Sequence, residues 1–130
     1  VESEDTLEIV TRIEKEGDNI MRIYKFRIKP EEIKNLVPPM GYSLVSDKIT
    51  VDGMKVGFMY REKPEDKDDS GWRFLSGTET DEYLDDENNT MIFDVNVVAN
   101  YDPAIIPYLK SKVGVEFERE ANSDNFKPLQ

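Results

Sequence analysis

The chain contains no cysteine and no histidine among its 130 residues. Without cysteine there is no disulfide framework and no thiolate nucleophile, and the expected location is a reducing cytoplasm. Lacking both residues, it can form neither Cys/His zinc sites nor Ser–His triads. No apolar run approaches the roughly 20 residues that cross a bilayer, and no charged-then-apolar signal segment opens the chain. P-loop, dinucleotide glycine fingerprint, Ser-x-x-Lys and Gly-x-Ser-x-Gly patterns are also missing. An enzyme built on this chain would depend on Asp, Glu, Tyr, Lys or Arg alone. The expectation is therefore a protein that is not an enzyme, with no catalytic residues and no cofactor.

Basic residues are scarce too: 17 Lys and Arg stand against 28 Asp and Glu, for a net charge of −11. The imbalance is concentrated. Residues 62–90 hold eleven carboxylates (Glu62, Glu65, Asp66, Asp68, Asp69, Glu79, Asp81, Glu82, Asp85, Asp86 and Glu87) against Lys63, Lys67 and Arg73, a segment charge of −8 around the single tryptophan, Trp72. Such a segment repels nucleic acid and anionic membrane, so neither is expected as a partner, and it steers basic partners inward.

Dense carboxylates also suggest metal binding, but the order of residues argues against it. An EF-hand loop needs ligands at alternate positions, a central Gly and a distal Glu between two helices. Asp66-Lys67-Asp68-Asp69-Ser70-Gly71 lacks that order and leads into a strand, and Asp85-Asp86-Glu87 lacks the Gly. No metal ligand is assigned; a solvated acidic loop is the plainer reading. With 28 acids some pair always suits carboxylate hydrolysis, so that pattern discriminates nothing. Asn88-Asn89-Thr90 matches the glycosylation acceptor, a frequent chance match that carries no assignment here.

The length fits a single domain, residues 1–130, able to bury a core unaided, and 38% hydrophobic content supports one. Leu7, Ile9, Thr11 and Ile13 alternate with charged neighbours, and Ile20, Tyr24, Phe26 and Ile28 share a parity beyond Glu16-Gly17-Asp18-Asn19. Residues 1–28 thus read as an antiparallel hairpin or N-terminal extension, with an amphipathic helix over 5–16 as the rival. Pro30 to Val37 reads as a short helix with Pro at its first position, ended by Pro38-Pro39. Tyr42–Ser46 and Ile49–Val51 read as strands, and Asp52-Gly53 as a two-residue hairpin turn into a strand over 55–61. Gly71–Ser76 reads as a strand, Thr80–Leu84 as a helical turn and Met91–Val98 as a strand. Asp102-Pro103 opens a second short helix as N-cap and first position. A strand over 113–119 and a polar tail, 121–130, complete the chain. The fold class is α+β, a mostly antiparallel sheet with two short helices.

Trp72 and Phe74 read as core residues from one face of a strand, leaving Arg73 outside; Arg61 and Arg73 then neutralise nearby carboxylates. The alternative makes Trp72, Tyr60 and Tyr83 interface anchors, since Trp, Tyr and Arg dominate binding hot spots. Tyr83, between Glu82 and Leu84, is balanced between exposure and burial.

Gly57-Phe58-Met59-Tyr60-Arg61-Glu62, Asp69-Ser70-Gly71-Trp72-Arg73-Phe74, Gly77 and Asp81-Glu82-Tyr83 occur in that order. Asp94-Val95-Asn96, Ala99-Asn100-Tyr101-Asp102-Pro103 and Phe117-Glu118-Arg119 follow. Over residues 29–120 this series resembles a family of small bacterial domains, formerly of unknown function, placed among the immunity proteins of polymorphic toxin systems. The resemblance implies a cytoplasmic, non-enzymatic inhibitor that binds and neutralises a toxin domain. A toxin that cuts nucleic acid presents a basic groove, which the acidic segment could occupy as a phosphate mimic. The partner-binding candidates are Asp66, Asp68, Asp69, Asp81, Glu82, Asp85, Asp86 and Glu87, with Tyr83 as a central anchor. Two readings stand beside this one: a small-ligand or housekeeping binding module with a pocket near Trp72 and Tyr60, and a hydrolase that uses only carboxylates.

Overall fold

The computed structural model describes residues 26–129. Six strands form one sheet: β1 (Tyr42–Ser46), β2 (Phe58–Arg61), β3 (Asp69–Leu75), β4 (Thr90–Asp94), β5 (Glu116–Arg119) and β6 (Phe126–Pro128). Their order is β4-β1-β3-β2-β5-β6. β1 and β3 run parallel and the other neighbours antiparallel, so the fold is α+β with a mostly antiparallel sheet. Three short helices accompany it, α1 (Asp47–Thr50), α2 (Asp81–Asp85) and α3 (Val95–Tyr101), with 3-10 turns at Pro30–Glu32, Glu87–Asn89 and Pro103–Tyr108. The hairpin-or-helix reading of residues 1–28 lies outside the described residues except for its last three.

One face of the sheet carries the core. Val45, Met59, Trp72, Phe74 and Phe117 pack against Val95, Val98, Ala99, Ile105 and Leu109 from α3 and the following 3-10 turn. Trp72 and Phe74 are both fully buried, with rings stacked at 5.9 Å. Burying each contributes on the order of 2 kcal/mol or more. Met59 is the fully buried member of β2, while Phe58 and Tyr60, on the other parity, are half-buried.

Four elements differ from the sequence expectation. Ile49–Val51 is not a strand: Ser46 caps α1 by accepting the Lys48 N–H at 3.1 Å, and the chain turns helical there. Asp52-Gly53 accordingly ends a helix instead of joining two strands. Gly53, at φ +80°, donates to Ile49 O at 3.2 Å and Met54 donates to Lys48 O at 2.9 Å, a glycine stop that another residue would strain. The Met91–Val98 strand breaks at Asp94, where β1 begins opposite it, and Val95, Val98 and Ala99 instead face the core with helical spacing. The helix expected over 30–37 shrinks to Pro30–Glu32. Beyond it, Asn96 and Asn100 of α3 hold the backbone extended, taking N–H groups of Lys34, Leu36 and Val37 and donating to Lys34 O. Long-range side-chain bonds override a local helical preference there.

The stretch after Arg119, expected to be a polar tail, supplies β6. Phe126 is buried against Tyr108, whose hydroxyl accepts the Phe126 N–H at 3.0 Å, and Pro128 sits on the edge strand, where a missing donor does no harm.

Candidate partner-binding surfaces

The sheet divides the acidic segment in two. Tyr42 of β1 pairs with Asp69 of β3 and Asp94 of β4, so the β2–β3 connection, with Asp66 and Asp68, lies at that first end. At the second end Ser46 pairs with Thr90, and the β3–β4 connection, with Asp81, Glu82, Tyr83, Asp85, Asp86 and Glu87, lies there. β3 separates the two groups by roughly 20 Å at the usual rise of a strand. The nine candidates therefore do not form one patch.

Asp69 leaves the solvent altogether. Its side chain is 0% exposed and that of Arg73 is 3% exposed. Arg73 donates from Nη1 to Asp69 Oδ1 at 3.0 Å and from Nη2 to Asp69 Oδ2 at 2.8 Å, and from Nε to Glu62 Oε2 at 2.6 Å. Asp69 also accepts the Glu65 and Gly71 N–H groups at 2.9 and 2.8 Å. The Arg73 guanidinium holds the Asp69 carboxyl well below the usual carboxylate range despite its burial. Burial works against the Arg73 cation, yet Asp69 and Glu62 more than offset it. Arg73 is thus inside, not outside as its strand position suggests, because two carboxylates cover it. A bidentate pair of this kind fixes the β2–β3 connection and leaves no charge for a partner.

Asp66 and Asp68 do face solvent. Asp66 accepts the Tyr42 hydroxyl at 2.9 Å and the Asp68 N–H at 2.9 Å, which pushes the Tyr42 phenol up to about 12. At the second end Thr80 caps α2 by accepting the Tyr83 N–H at 3.1 Å, so Asp81 and Glu82 sit in a first turn that favours acids. Asp81, Glu82, Asp85 and Glu87 are exposed; Asp86 is half-buried and accepts the Asn88 N–H at 2.9 Å. Tyr83 is half-buried, with Lys48 Nζ 5.1 Å from its ring centre, and burial raises its phenol. Among the described residues, no cluster of three or more carboxylates converges to hold a metal ion.

The residues that carry the family resemblance are used largely inside the fold. A Cβ at Gly57 would lie 2.0 Å from Ser76 O, and one at Gly71 2.3 Å from Glu62 O, so glycine lets neighbouring backbones close at both places. Trp72 donates its indole N–H to Leu109 O at 3.1 Å. Arg61 lies over the Trp72 ring at 5.7 Å and donates to Ser70 O and Ser111 O, each at 2.8 Å. Asp102 accepts the Val56 N–H at 2.9 Å while its partner Arg119 donates to Val56 O at 2.8 Å, so the two motif residues hold both backbone polar groups of one residue.

Charge counting passed over the other face of the sheet. Leu44, Phe58, Tyr60, Leu75 and Ile92 point away from the core and belong to neither apolar cluster of the described residues. Phe58 and Tyr60 on one parity of β2 were the available signal, though nothing local told which parity faces inward.

The family model described as Immunity protein Imm33 domain matches residues 43–130. The chain belongs to this immunity-protein family. No curated protein matches it, and no solved structure does. Among the described residues no helix is long and apolar enough to cross a membrane.

Proposed function

We propose that this chain binds and neutralises a bacterial toxin domain by protein contact, without turnover of its own, in the cytoplasm. Membership of the immunity family supports the class, and the observation that carries the finer reading is the β3–β4 connection. Residues 76–90 hold Glu79, Asp81, Glu82, Asp85, Asp86 and Glu87 with no Lys or Arg among them. Four of these acids are exposed at one end of the sheet. An unbalanced field of that sign accelerates capture of a basic protein, such as a nuclease domain with a phosphate-binding groove, and matters when a toxin must be blocked before it acts. Asp66 and Asp68 extend the field at the opposite end, while Asp69 belongs to the scaffold.

The test pairs this chain with a nuclease-type toxin domain from its own source organism. Co-expression restores growth of cells making the toxin, and binding weakens as salt rises from 50 to 500 mM. Growth arrest despite a folded, abundant chain contradicts the reading.

A further inference from the structure

We propose that the sheet face left uncovered by the described residues, with the groove at its first end, is the surface on which a basic toxin domain docks; this deepens the immunity reading and rests on it. Ile92, Leu44, Tyr60, Phe58 and Leu75 form an apolar band across β4, β1, β3 and β2, linked by the register Ile92–Leu44–Arg73–Tyr60 and Leu75–Phe58. Ile92 is 63% exposed, the highest value among the large exposed apolar side chains. The Phe58 and Tyr60 rings lie side by side at 5.7 Å. Aromatic side chains offered by a rigid sheet are the residue type that anchors protein interfaces.

The charges around the band select the occupant. Glu62, Asp94, Glu116 and Glu118 are exposed along its rim, the last two opposite Tyr60 and Phe58 on β5. Among the described residues the cations here are Lys127, opposite Glu118, Lys67 at the groove, and Arg73, which is buried and doubly paired and so presents no repulsion to a basic partner. At the first end the band runs into a groove of about 500 Å³ lined by Pro39, Met40, Tyr42, Lys67, Asp68 and Asp94. Its apolar walls and two free carboxylates suit a lysine or arginine stem with its charged head. A second copy of this chain would bring the same acidic rim against itself, and an anionic membrane or nucleic acid would be repelled. A basic protein with an apolar centre is the occupant that satisfies both band and rim. Asp94 belongs to both rim and groove.

The test titrates the same toxin domain, made catalytically inert, into wild type and into Ile92→Lys, Asp94→Lys and their double variant, with Glu31→Lys on the helix side as control. The double variant should bind at least 100-fold more weakly with an unchanged melting profile, and the control within threefold of wild type. Hydroxyl-radical footprinting of the wild-type complex gives a second reading that no folding defect can affect: Phe58, Tyr60 and Ile92 should lose reactivity. A wild-type complex that ignores both substitutions and leaves those side chains reactive overturns the surface but not the immunity reading. No wild-type complex at all overturns the immunity reading and this proposal with it. A dimer of the free chain in sedimentation, dissolved by Ile92→Lys, would assign the face to a second copy and likewise overturn it.

Discussion

Asp69 and Asp85 are the same residue in the same acidic stretch, and they do opposite things. Asp69 is held inside by a bidentate arginine and two backbone N–H groups; Asp85 faces water at the far end of the sheet. Asp102, outside that stretch, resembles Asp69: buried, bound to Arg119 and clamping a peptide of a remote loop. The comparison teaches that a local count of charges measures the field a segment can project only after its internal pairs are removed. In residues 62–69 those pairs consume Asp69 and engage Glu62, whereas residues 76–90 contain no base to consume anything.

The comparison can be broken most forcefully at the buried pair. Asp69→Ala strands the Arg73 guanidinium without its main partner and is expected to cost about 3–5 kcal/mol in urea unfolding. Loss of less than about 1 kcal/mol would mean that the pair is not structural. Next comes Gly71→Ala, at φ +88° with a Cβ 2.3 Å from Glu62 O, where both the backbone conformation and the close approach are violated. We expect about 2 kcal/mol or more of destabilisation by thermal melting.

A pH series sharpens the same contrast. The folded Asp69 carboxyl binds its proton less readily than the unfolded one, so its stabilisation is complete above the ordinary carboxylate range and fades as pH falls through about 4 toward the lower folded value. The stability gap between wild type and Asp69→Asn should therefore narrow from pH 7 to pH 3. A gap that widens on acidification contradicts the assignment. The smallest stability effect belongs to the exposed connection: Glu82→Lys with Asp85→Lys should change unfolding free energy by under about 1 kcal/mol, as surface charges do. Its effect lies in kinetics, with a slower and less salt-dependent association with the toxin domain.

Much of the scaffold was legible. The strand cores at Tyr42–Ser46 and Gly71–Leu75, the capped turn after Thr80 and the Asp102-Pro103 start all follow from local chemistry, as does the burial of Trp72. What was not legible depended on partners remote in sequence. Lys34–Val37 looks helical until Asn96 and Asn100 reach its backbone, and Met91–Val98 looks like one β-branched run until the register with β1 ends at Asp94. Asp52-Gly53 signals a turn correctly but cannot say whether a strand or a helix precedes it. For the candidate surface, the segment's acidity was plain, and the strand read over Gly71–Ser76 already places its two halves at opposite ends of the sheet; the burial of Asp69 with Arg73 was the part that no local pattern announces. The apolar band escaped because Met59, not Phe58 or Tyr60, turned out to fill the core.

The most direct measurement is the affinity of the inert toxin domain for wild type and for the Ile92→Lys/Asp94→Lys double variant, at 50 and 500 mM salt. The account predicts a tight, salt-weakened complex with wild type and a loss of at least 100-fold in the variant. Equal affinity for both proteins, unchanged by salt, would contradict it.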